Sequence, residues 1–208
     1  MRWVAFDLNG TLLDPAGVAP DEPELGRRAL IDAVVLAMAS TAVGDYRDFS
    51  VFVRAALGRR LDGAALDGAV ERASTLPPFP DAERALGRFA GAGLRVAVVT
   101  NSATEAAGAA LRAAGVGDAV EAVVGTDAAG AFKPDLRVYR AAEEGLAAGG
   151  DEICLVAAHA WDLLGASHAG WRTAWVAQLE GRLAATVVEP DVVASTLERA
   201  AEGVVGLA

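Results

Sequence analysis

The chain has 208 residues, 53% of them hydrophobic, enough for one full core and a small accessory unit. Its net charge of −10 and pI near 4.7, with no basic run to offset them, exclude a nucleic-acid footprint and a surface that seeks anionic lipid. A single cysteine, Cys154, excludes an intramolecular disulfide and a thiol-rich metal site and points to a reducing, cytoplasmic setting, and no charged leader or membrane-length apolar run marks the chain for export or embedding.

Trp3 to Leu8 reads as a short apolar strand that delivers Asp7 into a polar turn containing Gly10. From Asp21 to about Ser40 the residues Leu30, Val34, Ala37, Met38 and Thr41 recur every three or four positions, which predicts a helix. Two more helices are predicted, from about Tyr46 to Leu57 and from about Gly63 to Ser74, so Pro20 to Thr75 reads as an all-helical insertion. The run Leu76-Pro77-Pro78-Phe79-Pro80 can hold neither helix nor central strand and reads as a stiff return linker. The division that follows is a main domain of residues 1–14 and 78–208 and a helical cap of residues 15–77.

Beyond the linker the periods alternate. Asp81 is placed to cap a helix to about Ala92, Leu94 to Thr100 is an apolar strand, and Ser102 to Ala114 is helical with Gly115 as its stop. Val120 to Gly125 is the next strand, and Asp135 to Ala148 the next helix, entered at Pro134 and ended by Gly149-Gly150. Ile153 to Ala157, Thr173 to Ala177 and a short Asp191 to Ala194 complete the strands, with helices at Trp161 to Ala169 and about Ser195 to Glu202. Buried strands alternating with helices imply an α/β fold, a doubly wound parallel, Rossmann-like sheet.

That layout puts chemistry at the carboxyl ends of the strands, where open parallel sheets hold their ligands. Asp7, the run Thr100-Asn101-Ser102, the loop to Lys133 and the run Ala157 to Asp162 should meet at one crevice, with the insertion above it as a lid. Read singly, each residue has a plain structural alternative. Asp7 is either a nucleophile or a turn residue, and Thr100 and Asn101 suit the cap of the following helix. Tyr139 suits a core tyrosine with a satisfied hydroxyl, and Asp162 first-turn helix charge. Trp161 and Trp171 read as core packing.

Taken in order, DLNGTL, VTNS, FKPDLRVY and VAAHAWD, with a helical insertion after the first, resemble the haloacid dehalogenase superfamily and within it the L-2-haloacid dehalogenases, or type II. The resemblance covers nearly the whole chain. It implies that Asp7 attacks carbon, displaces halide and forms an ester that water then hydrolyses. It places Thr11 on Asp7 as the residue that orients it, and Thr100 and Asn101 on the substrate carboxylate. It sets Lys133 beside Asp7 to hold the acid ionised, Tyr139 near the site, and Asp162 on Lys133 and the hydrolytic water. The implied substrate is a small anionic molecule, the implied assembly a homodimer, and no cofactor or metal is implied.

Departures from the family pattern bear on the choice of reaction. Superfamily phosphatases carry a second acid two residues after the nucleophile and another four residues before the one matching Asp162. Here those positions are Asn9 and Ala158. A phosphate facing Asp7 meets a repulsion of several kcal/mol at an effective dielectric of ~20, which the acid missing at Ala158 would offset by helping to hold Mg²⁺, and Asn9 supplies no general acid for the leaving group. A monoanionic haloacid needs neither acid. The family's halide-accepting arginine should fall near Leu30, with Arg27 and Arg28 close in sequence but out of register. The Ser and Asn of the fourth motif are here Ala157 and His159, and His159 either replaces a polar contact or packs neutrally at the mouth. An ionising His159 would make activity pH-sensitive near neutrality. Two other functions stay open, a Mg²⁺-dependent phosphatase with a degenerate metal site and a non-catalytic binder of small carboxylates.

Overall fold

The computed structural model describes residues 1–208. Its first strand, β1 (Trp3–Phe6), is buried along its whole length and lies at the centre of a six-stranded sheet. The others are β2 (Arg95–Thr100), β3 (Ala122–Gly125), β4 (Ile153–Ala157), β5 (Arg172–Val176) and β6 (Val192–Ala194). All five pairings are parallel, in the order β3-β2-β1-β4-β5-β6. The chain winds outward in one direction through β2 and β3, then crosses back to β4. The reversal falls beside β1, so the crevice at its carboxyl end is the topological switch point of the sheet. The α/β, Rossmann-like expectation holds.

Both faces of the sheet are covered, which is why its strands are continuous apolar runs. Alternate residues of β1 feed opposite cores. Val4 and Phe6 pack with α4 (Ala82–Gly91), α5 (Thr104–Ala113) and α8 (Leu197–Val205), Phe6 meeting Phe89 edge to face at 5.6 Å. Trp3 and Ala5 pack with α6 (Leu136–Leu146) and α7 (Ala160–His168).

Between β1 and β2 stand α1 (Pro23–Ala42), α2 (Phe49–Leu57) and α3 (Gly63–Ala73). The apolar stripe of α1, including Ala29, Ala33, Val34 and Ala37, joins Phe49, Leu57 and Ala69 in a core continuous with that of the sheet. The outgoing and returning chains are laced together. Asp14 N–H donates to Pro77 O at 2.8 Å, and Phe79 N–H donates to Leu12 O at 2.9 Å, so the Pro-rich linker pairs without using the donors its prolines lack. A second tie is aromatic. Phe132 lies among Tyr46, Phe49 and Phe52, at centroid distances of 5.1, 5.9 and 5.5 Å, and its N–H donates to Thr41 Oγ1 at 2.9 Å.

Local expectations are corrected at several ends. β1 stops at Phe6 rather than Leu8, because the Leu8 carbonyl is taken by the N–H groups of Leu12 and Leu13 at 2.9 Å in a tight turn. Asp81 stands at the N-terminus of α4 but caps nothing there. Its carboxylate accepts from Glu198 N–H at 3.3 Å and ties α8 to α4 instead. α6 closes at Ala147, which adopts the left-handed conformation at φ 48° two residues before Gly149. No helix is long and apolar enough to cross a membrane.

Candidate active site

Asp7 leaves β1 at the switch point, buried, and the turn beyond it demands a glycine. Gly10 has φ +92°, and a Cβ there would stand 2.4 Å from a Leu179 methyl and 2.9 Å from the His159 ring. Both Asp7 oxygens are engaged. Lys133 Nζ donates to Oδ1 at 2.9 Å, while Thr11 Oγ1 donates to Oδ2 at 3.0 Å and His159 Nδ1 lies 3.2 Å from the same oxygen. A carboxylate only accepts, so in that bond Nδ1 carries the proton.

Lys133 is fully buried, and its ammonium has three donors for three acceptors. They are Asp7 Oδ1, Asp162 Oδ2 at 2.5 Å and Val99 O at 2.9 Å. Its own N–H donates to Asn101 Oδ1 at 3.0 Å, so the β2 loop fixes the lysine backbone as well. Asp162, in the first turn of α7, takes its other bond from Tyr139 Oη at 2.7 Å. The result is a closed polar lattice from four separate loops.

Burial pushes all these groups towards their neutral forms, and the lattice decides the outcome. For Asp7 the charge of Lys133, then the His159 and Lys133 hydrogen bonds, outweigh burial and hold the carboxyl well below the usual carboxylate range. For Lys133, burial opposes the charge, but Asp162 and Asp7 overcome it and raise its affinity for the proton. Asp162 goes the other way. Burial and the Asp7 charge raise its carboxyl above the ordinary value despite Lys133 and Tyr139. A proton arriving from acid solution therefore lands on Asp162 before Asp7. Burial pushes the Cys154 thiol up to about 12, far from this lattice's chemistry.

A pocket of about 10 Å³ opens onto Asp7, lined by Asn9, Thr100, Asn101 and His159 on the strand-end side and Leu30, Val34, Phe49 and Trp161 around the rest. The N–H groups of Asn9 and Asn101 find no acceptor within the protein and are available to an anion. Thr100 Oγ1 accepts from Ser102 N–H at 3.2 Å, and neither Thr100 nor Asn101 caps α5, whose N-cap residue is Ala103.

The model for haloacid dehalogenase-like hydrolases matches residues 1–170. The chain belongs to that family. Among its relatives, the (S)-2-haloacid dehalogenase of Xanthobacter autotrophicus is 30% identical across 96% of this chain and 85% of its own length. The phosphoglycolate phosphatase of Caulobacter vibrioides is 32% identical across 80% of this chain and 75% of its own. The solved structure of the L-2-haloacid dehalogenase from Xanthobacter autotrophicus with chloropropionic acid covalently bound has a TM-score of 0.90 at 25% identity, over the full length of both chains.

For this haloacid dehalogenase-like hydrolase, the residues present do not fit a divalent cation. Asn9 is neutral, Ala158 offers no side-chain donor atom, and both Asp7 oxygens are already engaged. No cluster of three or more His, Cys, Asp or Glu side chains has the spacing to hold a metal ion.

The structure brings Asp7, Lys133, Asp162, Asn9, Thr100, Asn101 and His159 to one place, with Thr11 and Tyr139 behind them rather than facing the pocket. Thr11 and Tyr139 are both fully buried and line no part of the pocket. Thr11 is spent behind the acid, bonded to Asp7 and to Ala158 N–H at 3.0 Å, and Tyr139 is spent on Asp162. Trp161 is corrected in the opposite direction. It lines the pocket, tilted against the His159 ring at 5.1 Å, whereas Trp171 is core and donates to Glu143 Oε1 at 2.9 Å. Val34 and Phe49 read in the sequence only as parts of helical segments, and tertiary packing shows that they face the acid. Arg27 and Arg28 do not reach the pocket, Arg27 pairing with Glu24 at 2.6 Å on the surface.

Proposed function

We propose that this enzyme is a metal-independent 2-haloacid dehalogenase that hydrolyses a small haloalkanoic acid through an ester on Asp7. The observation that carries the reading is a buried, ionised Asp7 whose counter-charge is Lys133, with no second acid at Asn9 or Ala158 to recruit a cation. The named activity of the relatives, and the covalent chloropropionate of one, support it.

In the first step an Asp7 oxygen attacks C2 of the substrate. A C–O bond forms, and the carbon–halogen bond breaks with its electron pair leaving as halide. Water then adds to the Asp7 carboxyl carbon, the bond from that carbon to the substrate oxygen breaks, and a 2-hydroxy acid leaves with inverted configuration. One water oxygen stays on Asp7 and one proton is released. Lys133 offsets the negative charge that develops on the ester during hydrolysis. Asp162 and Tyr139 hold Lys133, and Thr11 and His159 hold the oxygen opposite it. The free N–H groups of Asn9 and Asn101, with Thr100, receive the substrate carboxylate. The halide departs towards Phe49 and Trp161 with no guanidinium in reach.

Residues 15–77 act as a cap over a core of residues 1–14 and 78–208, a division supported by the laced crossing at Asp14 and Pro77. We place the enzyme in the cytoplasm on its single buried thiol. A homodimer is supported by Ile31 and Val35, exposed one turn apart on α1, and sedimentation velocity checks it.

The deciding experiment is halide release from 2-chloropropionate and fluoroacetate in EDTA, with Asp7→Asn as control. Release by the wild type alone is expected, and a single turnover in ¹⁸O-water should label Asp7 before product. Silence on both acids with Mg²⁺-dependent cleavage of p-nitrophenyl phosphate would replace this reading by the phosphatase, which the Caulobacter relative favours.

A further inference from the structure

A second cavity, of about 140 Å³, adjoins the catalytic pocket and shares three of its walls, Asn9, Leu30 and Phe49. We propose that it is a tail subsite, so that the preferred substrates are 2-haloacids carrying several further carbons or one aromatic ring beyond C2. The proposal rests on the dehalogenase reading and narrows it.

The two volumes divide the substrate between them. The catalytic pocket has room for little more than one water-sized group, so substrate carbon beyond the reacting centre has to find its space elsewhere. Any substituent on C3 must pass Leu30 and Phe49 into the larger cavity. That cavity lies between the insertion and the sheet domain, with Val18, Val53, Leu57 and Val70 on one side and Ala106 and Ala110 of α5 on the other. The one charged residue at its edge, Asp48, is engaged at the N-terminus of α2, accepting from Ser50 N–H at 2.8 Å. A volume of roughly 150 Å³ takes a benzene-sized guest. Ligand carbon set against these apolar walls leaves water and gains contacts. The partition itself is largely apolar, with Leu30 and Phe49 lining both cavities. A hydrocarbon chain can cross it without stripping water from a charge.

The test is halide release from 2-bromopropanoate, 2-bromobutanoate and 2-bromohexanoate by the wild type and by Ala106→Phe and Val53→Trp, which fill the cavity without touching Asp7. Each methylene that enters should raise kcat/KM about fourfold, chiefly through KM because the tail is held alike in ground and transition states. From the three-carbon to the six-carbon acid the wild type should therefore gain about 10- to 60-fold. Both variants should lose that gain while keeping the rate on 2-bromopropanoate. A flat or falling series in the wild type overturns the subsite and leaves the dehalogenase reading standing. If no haloacid is turned over, the dehalogenase reading fails, and calorimetric titration with propanoate and hexanoate decides the subsite separately. Tighter hexanoate binding that Ala106→Phe abolishes sustains it, and equal affinities overturn it.

Discussion

The two sides of the catalytic pocket are built from opposite materials. On the strand-end side Asp7, Lys133, Asp162, Tyr139 and Thr11 form a lattice in which each ammonium proton and carboxylate oxygen has a partner. On the insertion side Leu30, Val34 and Phe49 present carbon only. A polar lattice holds atoms to fractions of an ångström and tolerates no deletion, because removing one partner strands a buried charge. An apolar wall holds by shape and tolerates change in proportion to the area lost. In the proposed mechanism, chemistry and selectivity are carried by different pieces of chain.

Substitutions should divide along that line. Asp7→Asn should cut halide release by at least ~10⁴-fold on every substrate, the scale seen when a nucleophile is removed, and residual activity near wild type would end the covalent mechanism. Lys133→Ala comes next. It leaves Asp7 and Asp162 facing each other without a cation, and we expect a loss of about 3–5 kcal/mol in urea unfolding with a fall in kcat of ~10²-fold or more. Adding Asp162→Asn should recover part of the stability, and a cycle with no coupling would show that the ion triad is not one unit.

Smaller effects sharpen the contrast. Leu30→Ala should raise KM by roughly an order of magnitude through lost apolar contact while kcat stays near wild type. An equal fall in kcat would move Leu30 to the chemical side. Tyr139→Phe removes a hydrogen bond that lowers the Asp162 carboxyl, at a cost of about 1 kcal/mol. Because Asp162 takes the first proton, the acid limb of kcat/KM should shift to higher pH in that variant. A limb that stays in place would assign it to another group. Linkage gives the matching stability signs. Asp162, raised in the fold, contributes most at acid pH and loses that contribution as pH rises through its folded value. Asp7, lowered, contributes above the ordinary carboxylate range and loses it as pH falls through its depressed value. Arg27→Ala, at the surface pair with Glu24, should change neither rate nor melting temperature measurably, and a lost halide dependence would reinstate it as a site residue.

The polar side was largely legible in the sequence and the apolar side was not. Asp7 follows an apolar strand, Lys133 interrupts the apolar run before Pro134, and Asp162 sits in an apolar helix start just past β4, and a charged residue so placed has few places to go. The sheet was legible for the same reason, since its strands are unbroken apolar runs between helical periods. Leu30, Val34 and Phe49 obey the period of a buried helix face, and nothing local separates a residue that faces packing from one that faces substrate. Trp161 was hidden likewise. The end of α6 was missed because Ala147 takes the left-handed turn that a following glycine pair seemed to reserve.

The aromatic clasp has a mechanical consequence. Phe132, held by three rings of the insertion, is the residue before Lys133, so the insertion and the Lys133 ammonium hang on adjacent peptide units. An opening wide enough to unstack Tyr46, Phe49 and Phe52 would draw on the backbone that sets the ammonium against Asp7. In the proposed mechanism, sealing the chamber and setting Lys133 against Asp7 would then be coupled.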